Sequence, residues 1–416
     1  MLEEFDYSYF KADVHEWSGT DEFFSAPRWA DGIHRVGLPM HHMDLLFKND
    51  VLGSNQDYIL VTFNGAVSKR GERKPPFFSG MNLGRELDGP FVAVADTSLA
   101  LSPDLNIGWY AGYQDGQFQD AILQALRTIA ERTGKHLWLV GGSAGGFAAL
   151  YYGHLLGDDA SVLVWNPQTD FLEYSPPLVR PYLEQAFPQL VATDEPADHP
   201  RGWAGALERA GVQHSIMAQV RMGHRPRRML VLQNWNDWHV EAHLAPLMRA
   251  YGASPVRRNL YEAGPEHAFW IRNLGEGHVP PTPAHIVELL GALWAEGGTL
   301  RQTVGTLEDL GLTAEKDISS FPFWGLGREG AVARALDWGT GDGDSVCPAI
   351  PGIPAKSKAF MFRYRVRAGQ RTLKETSALL GSRLVLSALP DWSDVEVRVG
   401  DGFGNPLFTT TFFRGK

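Results

Sequence analysis

A serine, an aspartate and a histidine follow one another along this chain in an order that acyl chemistry can use. The serine is Ser143, in Gly141-Gly142-Ser143-Ala144-Gly145. The run fits G-x-S-x-G and lies between an apolar stretch, "HLWLV" (His136 to Val140), and a helix-like one, "GGFAALYYGHLLG". A strand-to-helix turn this sharp tolerates only small neighbours. It lifts the serine hydroxyl off the sheet and aims the following amides at a reacting carbonyl. The start of the helix adds a positive dipole there. The plain alternative is a glycine-rich turn that serves only close packing. A phosphate loop is disfavoured, because no lysine follows the glycines and no G-x-G-x-x-G occurs.

A serine hydroxyl is a poor nucleophile without a base, and the base needs an orienting acid. In a doubly wound sheet with such a turn the order is serine, acid, histidine. Asp237 closes the strand-like "RMLVLQNWND" and is the expected acid; its other reading is an N-cap for "WHVEAHLAPL". Asp170, after the preceding strand-like run, is the alternative acid. His278, in "LGEGHVPPTPAHIVELLGALW", is the expected base, since the glycine before it leaves room for the ring to swing and a helix follows at a suitable spacing. His267, in "EAGPEHAFW", is its rival, and His285 falls inside the predicted helix as a surface or packing residue. The oxyanion needs two donors. The amide of Ala144 is one, and "TFNGAVS" offers Gly65 or Ala66 as the other, although small residues there equally suit a simple turn.

Two other chemistries fit the sequence less well. "WHVEAH" places His239 and His243 on one helical face, but Glu241 between them fits neither H-E-x-x-H nor H-x-x-E-H, and no third ligand is evident. No metal and no cofactor are therefore expected. The one cysteine, Cys347, sits in the loop-like "GDGDSVCPAI", away from any strand-to-helix turn; it excludes an internal disulfide and fits a reducing compartment.

The elements that must position these residues alternate. "YILVTF" (Tyr58 to Phe63), "FVAVA" (Phe91 to Ala95), "HLWLV", "SVLVWNP", "RMLVLQNWND" and "NLYEAG" read as strands. Most are continuously apolar, as in a parallel sheet covered on both faces. "GQFQDAILQALRTIAERTG" reads as a helix with Phe118, Ile122, Leu126 and Ile129 on one face and Gly134 as its stop. "EAHLAPLMRAYG" and "PAHIVELLGALW" read as further helices. The expectation is an α/β fold with a doubly wound, mostly parallel sheet at about residues 56–300, after an irregular or β-forming N-terminal segment, 1–55. Residues from about 168 to 224 show prolines, acids and short helical pieces but no strand, the pattern of a lid inserted over the carboxyl ends of the strands. After about residue 300, "FMFRYRVRAG" sets Phe360, Phe362, Tyr364 and Val366 against Met361, Arg363, Arg365 and Arg367, and "DVEVRVG" alternates again. A small β-sandwich-like domain, 301–416, is expected there.

With 416 residues, 44% of them hydrophobic and 21% charged, the chain can bury a large core. Its net charge of −10 argues against a nucleic acid or an anionic membrane as partner. "MLEEFDYSYF" is acidic where a signal peptide is basic, so a cytoplasmic location is expected. Aromatic residues near strand ends, Trp109, Tyr110, Tyr113, Trp165, Trp235 and Trp238, could stack on a sugar ring or line an acyl pocket; core packing is the alternative for each.

"GGSAGG", the later "NDWHV", and "GEGHVPP" before a helix resemble the α/β-hydrolase superfamily over about residues 55–300. "GGSAGGFAALYYGHLLG" followed by "VLVWNPQTDF" is similar, more narrowly, to hydrolase-like domains of bacterial capsule and surface-glycan proteins. The resemblance implies a Ser-His-Asp triad at Ser143, His278 and Asp237, and cleavage or transfer of an acyl group. "FNGAV" departs from the His-Gly of many lipases, which leaves the second oxyanion donor open. The fold does not name a substrate. An esterase or deacylase acting on a small-molecule or glycan ester is the expectation. Acyl transfer to a sugar hydroxyl by the same triad, and a non-catalytic scaffold that binds glycan or a partner, are the alternatives.

Overall fold

The computed structural model describes residues 2–114, 117–193, 200–234, 237–257, 260–295, 298–309, 337–340, 345–349, 360–376, 379–380, 384–386, 389, 391–401 and 406–414. The chain divides into two compact units. The first comprises Met1–Leu232, Glu262–Trp270 and Pro280–Ala314; the second comprises Gln233–Tyr261, Ile271–Val279 and Glu315–Lys416.

A large sheet runs through the first unit. Its strands are β1 (Val14–Trp17), β2 (Gly32–Gly37), β3 (His42–Lys48), β4 (Tyr58–Phe63), β5 (Phe91–Val94), β6 (His136–Gly142), β7 (Ala160–Trp165), β8 (Arg228–Asn234) and β11 (His267–Arg272), in the order β1-β2-β3-β5-β4-β6-β7-β8-β11. β5, β4, β6, β7 and β8 pair in parallel, and β3 is antiparallel to both β2 and β5. The parallel strands are apolar throughout because both of their faces are covered. Ile59, Val61, Leu137, Leu139, Val162 and Val164 are fully buried, each worth about 1.5–3 kcal/mol on removal from water. The first 55 residues, without clear pattern in sequence, supply β1 to β3. Buried polar residues in these strands hide their period: His34 accepts from Trp17 Nε1 at 3.1 Å, and its other ring nitrogen lies 2.9 Å from the Ala30 carbonyl.

The helices of this unit are α1 (Thr20–Ser25), α2 (Met81–Leu87), α3 (Phe118–Thr133), α4 (Ala144–Leu156), α5 (Pro176–Ala186), α6 (Pro188–Thr193), α7 (Ala204–Arg209), α8 (Met217–Arg221), α10 (Pro283–Trp294) and α11 (Leu300–Asp309). α3 buries Phe118, Ile122, Leu126 and Ile129 and ends at Gly134, whose φ of 65° lets its amide reach the Ala130 carbonyl at 2.8 Å. α4 is apolar all round and buried on almost every side, as a helix packed beneath a sheet must be. α10 starts at Thr282, whose hydroxyl accepts from the His285 amide, with Pro283 in the first turn. Between β7 and β8 the chain forms α5 to α8 and short turns, held by one bridge between Asp170 and Ser215, with no strand among the described residues. An inserted helical segment thus interrupts the strand–helix alternation.

The second unit contains the adjacent strands β9 (Ser254–Arg257) and β10 (Leu260–Glu262), a π-helical turn at Val240–Leu244, α9 (Ala245–Tyr251) and two antiparallel sheets. One sheet is β12 (Asp337–Thr340), β13 (Ser345–Ala349) and β17 (Leu384–Val385). The other is β14 (Phe360–Ala368), β15 (Arg371–Glu375), β16 (Leu379–Leu380), β18 (Asp394–Asp401) and β19 (Pro406–Phe413). In β14 the expected alternation holds: Phe362, Tyr364 and Val366 are buried, and Arg365 and Arg367 pair with Glu375, Asp394 and Glu396 on the opposite face. Cys347, expected in a loop, lies within β13, where it pairs with Gly339.

Two expectations are corrected. "NLYEAG" is not the last strand of the large sheet: "HAFWIR" forms β11, with Ala268, Phe269, Trp270 and Ile271 fully buried. The helix predicted from Glu241 begins as a π-helical turn, because Pro246 in the first turn of α9 supplies no amide for a regular ladder. Among the described residues no helix is long and apolar enough to cross a membrane.

Candidate active site

The serine turn belongs to the first unit. Ser143 stands between β6 and α4 with φ 55° and ψ −120°. A non-glycine residue there carries about 1–3 kcal/mol of backbone strain, which its surroundings must hold. Its amide donates to the Trp165 carbonyl at 3.1 Å, and its carbonyl accepts from the amides of Phe147 at 3.0 Å and Gln168 at 3.2 Å. Glycines make the turn possible. A Cβ on Gly141 would enter the Gly145 carbonyl, one on Gly145 the Phe63 carbonyl, and one on Gly142 the Trp165 ring.

Ala144 is the first residue of α4, directly after Ser143, so its amide has no intrahelical acceptor. The loop after β4 runs against the same turn: a Cβ on Gly65 would lie 3.6 Å from that of Ser143. The Asn64 amide is engaged by Tyr110 Oη at 2.7 Å. Gly65 and Ala66 therefore remain the candidate second donors. Tyr110 itself is enclosed, its hydroxyl also meeting Asn64 Oδ1 at 2.7 Å and the Val94 carbonyl at 3.0 Å.

Trp109 and Tyr110, expected to face a substrate, are 0% and 1% exposed and offer no ring face to a sugar. Trp109 is stacked on Phe171 at 5.2 Å and edged by Tyr182 at 5.4 Å. Both residues have left-handed backbones, φ 54° and 57°. The buried carboxylate of Asp96 holds this turn by accepting from the Tyr110 amide at 2.9 Å, and burial pushes its pKa up to about 6. Trp165 is half-buried beside the serine turn.

Asp237, His239 and His278 belong to the second unit. Asp237 follows β8 with its side chain fully buried, and its Oδ2 meets His278 Nδ1 at 2.6 Å. Oδ1 accepts from the His239 amide at 3.0 Å and faces His239 Nδ1 at 2.8 Å. The bond to the helix-start amide and the bond to His278 thus use different oxygens of one carboxylate. Burial raises the Asp237 pKa, but the hydrogen bonds from His239 and His278 outweigh it and hold the carboxyl below the ordinary range. Burial pushes the His239 and His243 rings below the ordinary imidazole range. His239 lies nearly parallel to His278, ring centres 4.2 Å apart, and half-buried Trp238 leans on His239 at 4.2 Å.

The loop bearing His278 is clamped by Asn234, the last residue of β8. Its side chain accepts from the Leu274 amide at 2.9 Å and donates to the carbonyls of Gly275 at 3.0 Å and Gly277 at 2.5 Å. Gly275 and Gly277 have φ of 136° and 78°, which a side chain would resist. Asp237, His239 and His278 carry donor atoms within 4.8 Å of one another, a set a divalent cation can use. The carboxylate oxygens, however, stand 2.6 and 2.8 Å from the ring nitrogens, closer than the ~3.3 Å separating ligands of one tetrahedral ion with bonds near 2.0–2.1 Å.

The rival residues are occupied elsewhere. His267 opens β11 with Nε2 2.9 Å from the Pro226 carbonyl, at the start of β8, whereas Ser143 follows the carboxyl end of β6. Asp170 accepts from the Leu172 amide and lies 3.1 Å from His214 Nδ1. His285 sits in the first turn of α10. Trp235 lies outside the described residues. Sequence reasoning missed Gln168, whose Nε2 donates to Ser143 Oγ at 3.2 Å, and Asn234; neither belongs to a recognisable motif.

No family model and no curated protein matches the sequence. Among solved structures, the chain is similar to the capsule O-acetyltransferase of Neisseria meningitidis serogroup A, at 13% identity over 65% of this chain and 98% of that one, TM-score 0.43. An S-formylglutathione hydrolase from Agrobacterium tumefaciens is similar at 13% identity over 66% and 94%, TM-score 0.39. Carboxyl esterase 2 from Tuber melanosporum is similar at 16% identity over 67% and 89%, TM-score 0.39. The strand order β2-β3-β5-β4-β6-β7-β8-β11, antiparallel at its second strand, and a left-handed serine on the turn from β6 to α4 give this chain the α/β-hydrolase fold.

Proposed function

We propose that the protein is a serine ester hydrolase in which Ser143 is the nucleophile, His278 the base and Asp237 the orienting acid. The observation that carries the reading is the backbone of Ser143, held at φ 55° between β6 and α4. Such strain persists where the chemistry needs it. The hydrogen-bonded pair of Asp237 and His278 supports the assignment of acid and base.

In the proposed reaction Ser143 Oγ attacks the acyl carbon. The hydroxyl proton passes to His278 Nε2, the new Oγ–C bond forms, and the carbonyl π pair moves onto oxygen. The amides of Ala144 and of Gly65 or Ala66 receive that charge. Collapse expels the alcohol, which takes the proton from His278 and leaves an acyl-serine. Water, deprotonated by His278, then attacks the acyl carbon; collapse breaks the Oγ–C bond, releases the acid and returns the proton from His278 to Ser143 Oγ. A sugar hydroxyl in place of water turns the same steps into acyl transfer. Half-buried Trp165 and Trp238 are the aromatic surfaces suited to a glycan ester, a small-molecule or glycan ester being the proposed substrate class. A fluorophosphonate probe followed by peptide mapping tests the proposal. One modified site at Ser143, lost in Ser143→Ala without change in circular dichroism, is expected; labelling that survives the substitution refutes it.

A further inference from the structure

Gln168 reaches the serine turn from the segment after β7, and it does so twice. Its backbone amide donates to the Ser143 carbonyl at 3.2 Å, and its side-chain Nε2 donates to Ser143 Oγ at 3.2 Å. The side chain is fully buried. Its orientation is fixed by chemistry: the indole Nε1–H of Trp109 donates to Gln168 Oε1, and an indole can only donate. The carbonyl end must face Trp109, so the NH2 end must face the serine. Trp109 cannot turn away, being left-handed at φ 54° and enclosed by Phe171, Tyr174 and Tyr182.

We propose that the Gln168 side-chain amide is a catalytic donor to Ser143 Oγ, with Trp109 its positioning residue. The inference rests on Ser143 being the nucleophile. A hydroxyl has one proton and two lone pairs. With one lone pair taken by the Gln168 N–H, the serine proton points away from Gln168 and is free for the base. As that proton leaves and the Oγ–C bond forms, negative charge passes through Oγ to the carbonyl oxygen. A hydrogen bond to a charged oxygen is about twice as strong as one to a neutral oxygen. The donor therefore favours the transition state over the resting hydroxyl, which is what accelerates a step.

The test compares Gln168→Leu, Trp109→Phe and the double variant with the parent, using the rate of fluorophosphonate labelling and kcat and KM on p-nitrophenyl acetate. Gln168→Leu should lower labelling rate and kcat by about 10- to 100-fold, below the 100- to 1,000-fold of a lost oxyanion donor, with KM nearly unchanged. Trp109→Phe should lower kcat by a smaller factor, and the double variant should be no slower than Gln168→Leu, since both act through one amide. A folded Gln168→Leu with parental kcat, or one changed only in KM, overturns the proposal. If that variant does not fold, Trp109→Phe with unaltered kcat overturns it. A parent protein that the probe does not label at all refutes the nucleophile assignment itself, and this role with it.

Discussion

Replacing Asp237 by asparagine should stop turnover through the tautomer of His278, and the geometry dictates which way the new amide turns. At Oδ1 two donors converge, the His239 amide at 3.0 Å and the His239 ring nitrogen at 2.8 Å; at Oδ2, among the described residues, the His278 ring nitrogen stands at 2.6 Å. A backbone N–H cannot become an acceptor. The asparagine carbonyl must therefore take the Oδ1 position, and its NH2 must face His278. His278 Nδ1 then accepts rather than donates, its proton moves to Nε2, and the nitrogen needed to take the serine proton is occupied. The serine-protease precedent for this tautomer error is a loss of about four orders of magnitude in kcat, or about 5.4 kcal/mol at 1.36 kcal/mol per decade. The fold should survive, because the amide keeps both bonds at Oδ1. Ester turnover, circular dichroism and melting temperature on the one variant suffice. Turnover within about tenfold of the parent would refute the reasoning, for His278 would then not need a proton on Nδ1.

Three other outcomes follow from the same geometry. Asn234→Ala should lower kcat by about 10- to 100-fold, since it releases the His278 loop from three hydrogen bonds each worth about 1 kcal/mol; unchanged kinetics in a folded variant would show that the loop holds itself. His239→Phe keeps a ring against His278 but removes one of the two donors at Asp237 Oδ1, leaving the backbone amide. The lost ring bond helps hold the Asp237 carboxyl below the ordinary range, so its pKa should rise in the variant, and a carboxyl resonance whose pH titration does not move would contradict this. Stability should fall on acidification from about pH 6.5 towards 4. Burial pushes His34, His136 and His154 down to about 4 and His41 to about 3, so the unfolded chain binds protons that the folded one refuses. Asp96, raised to about 6, acts in the opposite sense but is outnumbered; a melting temperature that rises over this range would count against the burial of these histidines.

What the sequence disclosed was whatever is written in neighbouring residues. Ser143 was legible because its turn needs glycines on both sides, and Asp237 because it closes an apolar run. The C-terminal strands β14 and β18 were legible from alternation, since one face meets water. What stayed hidden depends on distant partners. Trp109 reads as a surface aromatic until Phe171 and Tyr182 are seen around it. Gln168 acts on a residue 25 positions away. His239 reads in sequence as one residue of a helical face that fits no metal motif, and only the fold shows that it shares the Asp237 carboxylate. β11 was missed because its short apolar run follows a Gly-Pro turn that resembles a loop.

The tight seat of the serine turn also makes Ser143 a clock. Gly145 rests on the Phe63 carbonyl at the end of β4, and Gly142 on Trp165 at the end of β7. The turn cannot adopt its left-handed form until β4, β6 and β7 lie side by side. Residues 64–135 and 143–159 must loop out before those parallel pairs close, and contacts of such span form slowly. A collapsed chain that has built its helices but not this part of the sheet still carries an ordinary, unreactive serine. On the proposed chemistry, a reagent that attacks only the finished nucleophile would count completed molecules during refolding, lagging behind the helical signal by the time the central strands take to find their register.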